Sequence, residues 1–568
     1  MIRCRAFALT GTNLEDIPPY ISKLSLIHTL NLRNNRLVSL PDELGKLRQL
    51  RRLELPRNKV VSLPSSICSL HKLEVLDLRW NLLESLPRYF GELKSLKSLW
   101  ITQSNLKSLP TSFGGLSSLL SLTLTSNRLV SLPKSIGGLR ELKRLHLKDN
   151  NLHSLPKTLG KLTKLEFLNL SYNRLRTLPK RIGQLIMLEK IFLYANRLES
   201  LPKELGKLVR LLKLHMGGNN LGVLPKELCE LTRLEVLELQ QNKLISIPQD
   251  FGDLCALTTL RLNDNQLWSL PPGIRNLQRL DRFALHGNLL PSLPVQIGQL
   301  KNLKILTLHA NGIKHLPTSL AGLKALETLT LNSNELTSLP DEIGELDKLK
   351  VLKLGKNKLT SLPSPIRRLK SLQTLSLPHN HLSSLPGTLG ELQSLQELML
   401  RGNDLKSLPA STANLSNLRV VNIQENELKE LPHYLQNKWK VVKYQSIFQN
   451  TERIPKGLRS GFMIRQVMHE IGDLDGKSRL SQNMRFSSNR PGINHRNSQA
   501  GTSNYQFPQH HRNSSGTGST KYNMYRQQGR TRRYSLQYVM RRGAESKTDD
   551  SRRQSRFKTQ PDGCCNLM

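Results

Sequence analysis

The residues best suited to covalent chemistry are the last four, Cys565-Asn566-Leu567-Met568. A cysteine followed by two residues, the second of them aliphatic, and a terminal Met forms a C-a-a-X prenylation signal, and Met in the last position favours a farnesyl group. We therefore expect farnesylation of Cys565. A single prenyl chain anchors a protein only marginally, so a second membrane signal is expected as well, and Cys564 is a candidate for palmitoylation.

Basic residues upstream of this signal supply a further source of membrane attraction. The cluster comprises Arg552, Arg553, Arg556 and Lys558. Each such charge near an anionic bilayer contributes about 1 kcal/mol of attraction. Two Arg-Arg-x-Ser segments predict phosphorylation of Ser535 and Ser555 by basophilic kinases. A phosphate on Ser555 would bring about −1.5 to −2 charges into the cluster and weaken membrane binding. Together these features predict a protein at the cytoplasmic face of the plasma membrane or an endomembrane.

Large aromatic residues surrounded by cations predict a site for noncovalent binding. The aromatic residues are Trp80, Trp100, Phe167, Tyr172, Phe192 and Tyr194. The basic residues around them are Arg144, Lys148, Arg174, Lys190, Arg197 and Lys213. Aromatic side chains ringed by positive charge are suited to an acidic protein surface. The alternative is a solvated surface with incidental aromatics. Farther along, Glu397, Asp404, Glu425 and Glu427 predict a second, acidic patch.

A repeat of fixed length must position these side chains. Prolines recur every 23 residues from Pro18 to Pro432, which defines nineteen units, and a degenerate twentieth unit ends at Pro455. The unit reads LxLxxNxLxxLP, and this leucine spacing at this period is the signature of a leucine-rich repeat. We predict an α/β-type solenoid, a horseshoe of about 19–20 units with a parallel concave sheet and 3-10 or helical turns on the convex side.

Within one unit, each residue type has a predicted task. Leu168 and Leu170 are two residues apart and share the inner face of a strand. Asn173 is expected to satisfy backbone groups between adjacent units, because its amide offers both donors and an acceptor. Thr12 and Ser104 replace this asparagine in two units, so the ladder should be weaker there. Gly183 marks a close approach between turns, and Cys68 and Cys229 occupy the same position as small packing residues.

Composition changes along the chain divide it into four segments. Residues 1–455 form the solenoid, and residues 456–475 have the helical spacing of a cap helix over the open end of the stack. A membrane-surface helix is the alternative for that segment. Residues 476–560 are rich in Ser, Asn, Gln, Gly and Arg, which predicts a disordered basic tail. Residues 561–568 carry the prenylation signal.

Charge and cysteine usage narrow the class of function. The formal charge of +41 suits an anionic membrane, nucleic acid or an acidic protein. We find no phosphate-binding loop, no nucleophile motif and no metal-ligand spacing, so no catalytic, cofactor or metal site is expected. Six cysteines without a paired pattern indicate a reducing, intracellular compartment. We expect no signal peptide, no N-myristoylation at Ile2 and no membrane-spanning segment.

The unit LxxLxLxxNxLxxLPxxLGxL resembles the Ras-group class of intracellular leucine-rich repeats over residues 1 to about 455. The resemblance implies a non-enzymatic signalling scaffold near Ras-type small GTPases, which in one member of the class also holds a phosphatase catalytic subunit. An RNA-binding or other nucleic-acid-associated adaptor is the alternative suggested by charge, although no known module supports it. An intracellular pathogen-sensing repeat protein is a third reading.

Overall fold

The computed structural model of the protein describes residues 5–429 and the pair Lys443–Tyr444. Several predictions fall outside these residues: the cap helix at 456–475, the basic tail at 476–560 and the prenylation signal at 561–568. The predicted modification sites Ser535, Ser555, Cys564 and Cys565 also lie outside the described residues.

Short parallel strands form one side of the repeat array. The strands are β1 (Ala6–Ala8), β2 (Thr29–Asn31), β3 (Arg52–Glu54), β4 (Val75–Asp77), β5 (Ser98–Trp100), β6 (Ser121–Thr123), β7 (Arg144–His146), β8 (Phe167–Asn169), β9 (Lys190–Phe192), β10 (Lys213–His215), β11 (Val236–Glu238), β12 (Thr259–Arg261), β13 (Arg282–Ala284), β14 (Ile305–Thr307), β15 (Thr328–Thr330), β16 (Val351–Lys353), β17 (Thr374–Ser376), β18 (Glu397–Met399), β19 (Val420–Asn422) and β20 (Lys443–Tyr444). Each strand pairs in parallel with the next one along the chain, and every pair joins residues 23 apart. The predicted parallel sheet of a leucine-rich repeat solenoid is therefore confirmed.

Short 3-10 segments form the opposite side. They are η1 (Pro19–Lys23), η2 (Asp42–Lys46), η3 (Ser65–Ser69), η4 (Phe90–Glu92), η5 (Thr111–Gly115), η6 (Lys134–Gly138), η7 (Lys157–Lys161), η8 (Lys180–Gln184), η9 (Lys203–Lys207), η10 (Lys226–Glu230), η11 (Gln249–Asp253), η12 (Pro272–Asn276), η13 (Val295–Gln299), η14 (Thr318–Gly322), η15 (Asp341–Glu345), η16 (Ser364–Arg368), η17 (Leu389–Glu391) and η18 (Ala410–Asn414). The repeat proline usually stands just before the segment, as Pro179 does at φ −67° and ψ 140°. Its carbonyl accepts the first hydrogen bond of the turn, from the amide of Ile182 at 2.8 Å. Between residues 5 and 429 no α-helix is present.

The leucines of all units meet in one continuous core between the sheet and the 3-10 segments. Leu168 and Leu170 on the strand side are fully buried, and so are Leu185 and Leu188 on the other side. Because each unit contributes one layer and contacts mainly its two neighbours, the core extends by stacking rather than by thickening. Residues that occupy the same position in successive 23-residue units therefore lie on the same face of the sheet.

A ladder of buried asparagines ties neighbouring units together. Asn150 is 7% exposed. Its Nδ2 donates to the carbonyls of Leu124 at 2.9 Å and Leu147 at 3.1 Å, and its Oδ1 accepts from the amide of Leu129 at 3.1 Å. Two of these three partners belong to the preceding unit, as predicted. The weak rung is Ser104, whose hydroxyl donates to the carbonyl of Asn81 at 3.2 Å.

The residue before each ladder position adopts a left-handed conformation that the sequence reading did not foresee. In all nineteen units its φ lies between 51° and 69°, and only four of these residues are glycine. Trp80 and Tyr172 are among the others, at 56° and 57°. For a residue with a Cβ this conformation costs roughly 1–2 kcal/mol. Two of the predicted binding aromatics therefore adopt a backbone conformation that is intrinsically unfavourable for residues with a side chain.

The glycine at Gly183 is required by close packing between 3-10 segments, as predicted. A Cβ placed there would lie 2.3 Å from the carbonyl oxygen of Glu204 in the next unit. Cys68 and Cys229 occupy the equivalent position and are buried. Burial raises the pKa of both thiols, that of Cys229 to about 12, so both are protonated at neutral pH and unreactive. Cys255 is exposed, as expected of a variable outer position.

The ladder predicts very different effects on stability for substitutions of two adjacent asparagines. Asn150→Ala removes the hydrogen bonds to Leu124 and Leu147 and leaves the amide of Leu129 without its acceptor, so we expect the free energy of unfolding to fall by about 2–4 kcal/mol. Asn151 points away from the ladder and is only half-buried. Asn151→Ala should change stability by less than about 0.5 kcal/mol. Urea unfolding followed by circular dichroism measures both, and equal losses would contradict the ladder.

Replacing Ser104, the weak rung, by asparagine tests whether adding a ladder residue increases stability. Ser104→Asn places an amide where Leu78 of the preceding unit and Ile101 of the same unit offer carbonyls, each now bonded to another ladder asparagine. We expect a gain of about 1 kcal/mol in the free energy of unfolding. Hydrogen exchange should slow at the amides of the units on either side. A loss of stability would show that the site cannot accommodate the ladder geometry.

Candidate functional site

The outward side chains of the strands line up in columns across the sheet. In one column the register places Trp100, Thr123 and His146 side by side, and the same column continues to Phe192 and His215. Neighbouring strands lie about 4.8 Å apart, so aligned side chains touch along the array. A functional surface on this face is therefore made by residues 23 apart in sequence.

Four rings stack across β7 to β10. The ring centroids of His146 and Phe167 are 4.5 Å apart, those of Phe167 and Phe192 5.3 Å, and those of Phe192 and His215 4.6 Å. The structure thus brings together Phe167 and Phe192, which the sequence had singled out. The two flanking histidines were not predicted, because the sequence analysis considered only Trp, Tyr and Phe on this face. We refer to His146, Phe167, Phe192 and His215 as the ring stack.

A tyrosine pair borders the ring stack. The rings of Tyr172 and Tyr194 meet edge to face with centroids 5.5 Å apart, and Nζ of Lys148 lies 5.1 Å from the centroid of Tyr172. Tyr172 remains 41% exposed. Burial raises the pKa of the Tyr194 phenol, so the phenol is neutral at physiological pH. Both predicted tyrosines therefore contribute aromatic surface beside the rings.

Predicted cations surround this aromatic surface without being neutralised. Arg144, Lys190 and Lys213 begin β7, β9 and β10, and Lys148 follows β7. None of these four forms an ion pair with another described residue. Arg174 and Arg197 are exposed on the turn after the ladder asparagine, at the border of the same region. The region carries positive charge that an acidic partner could neutralise.

Trp80 and Trp100 form a separate cluster with two arginines that the sequence reading did not include. The guanidinium of Arg79 lies 5.4 Å from the ring centroid of Trp80 and 5.8 Å from that of Trp100, and Arg57 lies 5.1 Å from Trp80. Arg79 is paired with Asp77 at 2.6 Å. Trp80 is 39% exposed. The six predicted aromatics therefore fall into two clusters, separated by small residues such as Thr123.

The far end of the ring stack is closed by a carboxylate. Nδ1 of His215 donates to Oε2 of Glu238 at 2.6 Å, and both side chains are only 18% exposed. The hydrogen bond from His215, together with the charge of Arg261, lowers the pKa of Glu238 despite its burial. At the other end, burial and the nearby charge of Arg144 lower the pKa of His146. His146 therefore presents a neutral ring at pH 7.

The predicted acidic patch is compensated in part. Glu425 accepts a 2.6 Å bond from Arg401, which lowers the pKa of Glu425, and Asp404 lies 3.5 Å from His381. Glu397 accepts from the hydroxyl of Thr374 at 3.2 Å. Glu427 belongs to the same end of the array. Because Arg401 neutralises Glu425, whereas the cations around the ring stack have no ion pair with a described residue, the region around the ring stack is the stronger candidate for binding.

Residues 5–429 were also considered as the location of a metal site or a membrane-spanning helix, and they contain neither feature. Within this part of the chain, no group of three or more His, Cys, Asp or Glu side chains is placed to hold a metal ion. Nor does any helix in the described part have the length and apolar character needed to cross a membrane.

Family comparisons agree with the repeat architecture. The chain matches a family described as leucine-rich repeat region over residues 42–128, 84–171 and 295–380. A second leucine-rich repeat family matches residues 210–267, and a third matches residues 27–47 and 164–185. A comparison with curated proteins finds no match.

Solved structures give the same result. A leucine-rich repeat protein of Leptospira interrogans is 37% identical, with a TM-score of 0.55, 66% of this chain covered and 90% of that one. The ectodomain of the Arabidopsis thaliana receptor kinase GASSHO1/SCHENGEN3, solved with CASPARIAN STRIP INTEGRITY FACTOR 2, is 30% identical with a TM-score of 0.55, covering 74% of this chain and 56% of that one. The Arabidopsis receptor kinase HAESA, solved with the peptide hormone IDA and the co-receptor SERK1, is 27% identical with a TM-score of 0.55, covering 78% and 84%.

The buried histidines predict how stability depends on pH. Burial lowers the pKa of His146, His286 and His309 in the folded protein. The unfolded chain therefore binds more protons as the pH falls below about 6.5, and the folded state loses stability there. We expect the thermal midpoint to decrease from pH 7.5 to pH 5.5. Each unit by which a pKa is lowered is worth about 1.4 kcal/mol.

Variants assign this effect to the histidines. Replacing all three by glutamine should flatten the decrease, whereas His71→Gln, at an exposed position, should leave it unchanged. The lowered pKa of Glu238 acts in a different window, because its contribution is lost only as the pH falls through values below 4.5. A thermal midpoint that does not decrease toward pH 5.5 would contradict the assignment.

Proposed function

Because the chain belongs to the leucine-rich repeat family, we propose that it is a non-enzymatic protein-interaction scaffold, tethered to the cytoplasmic face of a membrane and acting on Ras-type small GTPases or their effectors. The fold itself suits protein binding, since its core leaves a long, regular face free for contacts. The fold alone does not determine the partner or the location of the protein, and separate observations support each of them.

The observation that carries the proposal is the ring stack with its uncompensated cations. Interface hot spots are enriched in aromatic residues and arginine, and complementary charge speeds association and selects the partner. Phe167, Phe192, Tyr172 and Tyr194 provide contiguous aromatic surface on two adjacent units. Arg144, Lys148, Lys190 and Lys213 have no described acidic partner. An acidic protein surface satisfies both requirements.

The structural relatives support a protein ligand for this chain. HAESA was solved with a peptide hormone and a co-receptor, and GASSHO1/SCHENGEN3 was solved with CASPARIAN STRIP INTEGRITY FACTOR 2. The resemblance of the 23-residue unit to the Ras-group class supports a Ras-type GTPase, or an assembly that also contains a phosphatase catalytic subunit, as the partner. A nucleic-acid partner has less support, because the sequence contains no known nucleic-acid-binding module.

The membrane tether rests on the sequence of the tail. Cys565 within Cys565-Asn566-Leu567-Met568, the adjacent Cys564 and the basic cluster at residues 552–558 supply the two or three weak signals that stable anchoring needs. Phosphorylation of Ser555 would reduce the electrostatic part of this attraction. The segment between the solenoid and the signal is long enough to leave the binding face free to reach a partner on the same membrane.

Two substitutions in the tyrosine and phenylalanine columns test the binding face. Phe192→Ala with Tyr194→Ala removes a central ring and its tyrosine neighbour, and hot-spot residues of this kind contribute 2 kcal/mol or more. We therefore expect at least about a thirtyfold rise in the Kd for the partner. Calorimetry with a Ras-type GTPase loaded with a GTP analogue, and separately with GDP, measures the change.

A matched control lies five units away on the same columns. Thr307→Ala with His309→Ala changes the equivalent two positions outside the ring stack, where His309 stacks on His286 alone, and it should leave the Kd within about threefold of wild type. Circular dichroism checks that both double variants remain folded. If neither nucleotide form of the GTPase binds the wild-type chain, the Ras-type partner is wrong. If another captured protein binds the two double variants equally, the binding face is wrong.

The tether makes a second prediction in cells. Mass spectrometry of the C-terminal peptide should detect a farnesyl group on Cys565, which also requires Met568 to be the last residue encoded. Cys565→Ser should move most of the protein from the membrane fraction to the soluble fraction, because the remaining basic attraction is screened at physiological salt. Cys255→Ser, at an exposed position in the solenoid, is the control and should have no effect. An unmodified Cys565, or an unchanged membrane fraction for Cys565→Ser, removes the tether from the proposal.

A further inference from the structure

The ring stack ends abruptly at β6, where the column holds a threonine. Trp100, Thr123 and His146 occupy equivalent positions on β5, β6 and β7. Neighbouring strands are about 4.8 Å apart, so the two aromatic side chains stand about 10 Å apart across Thr123. Thr123 is too small to fill that width. The result is a slot one strand wide with a ring on either side.

Both walls of the slot are supported from behind. His146 stacks on Phe167 with centroids 4.5 Å apart and an interplanar angle of 28°. The guanidinium of Arg79, a residue that follows β4, lies 5.8 Å from the ring centroid of Trp100. Each wall therefore has one side covered by the chain itself and the other side directed to the slot. Supported rings lose little freedom on binding, which favours a ligand that stacks on them.

The slot is part of an open cleft of about 410 Å³. The cleft is lined by Trp100, Thr123 and His146, with Trp80 and Arg79 at one end and the polar side chains of Thr102, Gln103, Thr125 and Ser126 along the side. A ring centred above Thr123 would lie about 5 Å from each wall, within the 4.5–7 Å at which aromatic centroids pair favourably. The dimensions suit one planar side chain.

The charge around the slot decides which planar group it suits. Arg57 and Arg144 have no ion pair with a described residue, and Nζ of Lys148 lies over the ring of Tyr172. A guanidinium in the slot would be repelled by these cations, whereas an aromatic ring would not be. Carboxylates next to the ring in the ligand's sequence would be attracted on both sides. The aromatic residues of the chain's own tail, such as Tyr534 beside Arg532 and Arg533, have the opposite charge environment.

We propose that this slot binds the side chain of an aromatic residue flanked by Asp or Glu in a partner peptide segment, with the ring sandwiched between Trp100 and His146 above Thr123. The inference rests on the proposed function, because it assigns to the protein-binding face a specific recognition element. It also explains why the ring stack is built from half-exposed aromatics that no core requires. The aromatic side chain of the partner occupies the position above Thr123 and extends the ring stack to Trp100.

Four labelled peptides test the proposal on the full-length protein. They have the sequence Gly-Asp-Glu-Xaa-Glu-Asp-Gly, where Xaa is Trp, Phe, Leu or Ala, and binding is measured by fluorescence anisotropy at pH 7.4. We expect the Trp and Phe peptides to bind at least tenfold more tightly than the Ala peptide and more tightly than the Leu peptide. Replacing the four acidic residues by Lys should abolish binding of the Phe peptide.

Filling the slot from within the chain gives the decisive variant. Thr123→Trp supplies the missing ring intramolecularly, so the Trp and Phe peptides should fall to the affinity of the Ala peptide. Thr330→Trp, in the same column on β15, is the matched control and should retain the preference. Thr123→Ala keeps the slot open and should also retain it, which covers the case that Thr123→Trp fails to fold.

The outcomes separate the slot from the wider function. Equal affinities for the four peptides, absence of binding, or a preference that survives in a folded Thr123→Trp protein would overturn the slot. Binding of the Lys-flanked Phe peptide as tight as its acidic counterpart would also overturn it, and would point to the chain's own tail as occupant. If the Phe192 and Tyr194 double variant loses partner binding but Thr123→Trp has no effect, the proposed function is supported and the slot is not.

Discussion

The buried asparagine ladder is the interaction on which the register of the whole array depends. Each amide connects two units, and a carbonyl such as that of Leu170 accepts from Asn173 in its own unit and from Asn196 in the next, both at 2.9 Å. These carbonyls lie in a leucine core where no other donor is at hand, and a buried polar group without a partner costs about 1–3 kcal/mol. An insertion of one residue would displace a rung, so the constant 23-residue step follows from hydrogen bonding as much as from leucine packing.

A fixed register has a direct consequence for the exposed side of the sheet. Because every strand is aligned with the next, side chains that are 23 residues apart stand about 5 Å apart and form contiguous columns. The chain can therefore build an extended surface by choosing single residues in successive units. His146 and Phe192 share one column, while Phe167 comes from the neighbouring column and lies between them. Trp80 and Tyr172 belong to the column with left-handed φ, which directs large side chains outward at a cost in backbone energy.

The sequence was sufficient for most features that repeat. The inward leucines, the ladder asparagines, the close packing at Gly183 and the turn-starting prolines recur in unit after unit, so their roles could be read from the period. Features that occur once were harder to predict. His215 joins the ring stack because of its neighbour Phe192, and Arg79 covers Trp100 because Asp77 positions its guanidinium. Such lateral contacts depend on rotamers and on offsets between columns, which neither residue type nor spacing determines. The left-handed φ was missed although it repeats, because residues as different as Gly218, Tyr172 and Glu425 adopt it.

Charge compensation explains why the two ends of the exposed face should differ in function. Toward the C-terminal units, carboxylates are held by neighbours in the chain, as Glu425 is by Arg401, and exposed pairs of this kind offer a partner little. Around the ring stack the cations lack such neighbours among the described residues, while the partly buried carboxylate of Glu238 is bound to His215 at the end of the rings. A partner that brings acidic groups to this region gains their attraction without first breaking an internal pair. The aromatic surface beside them adds apolar burial to the same contact, and the two contributions together favour this end of the array as the place where recognition occurs.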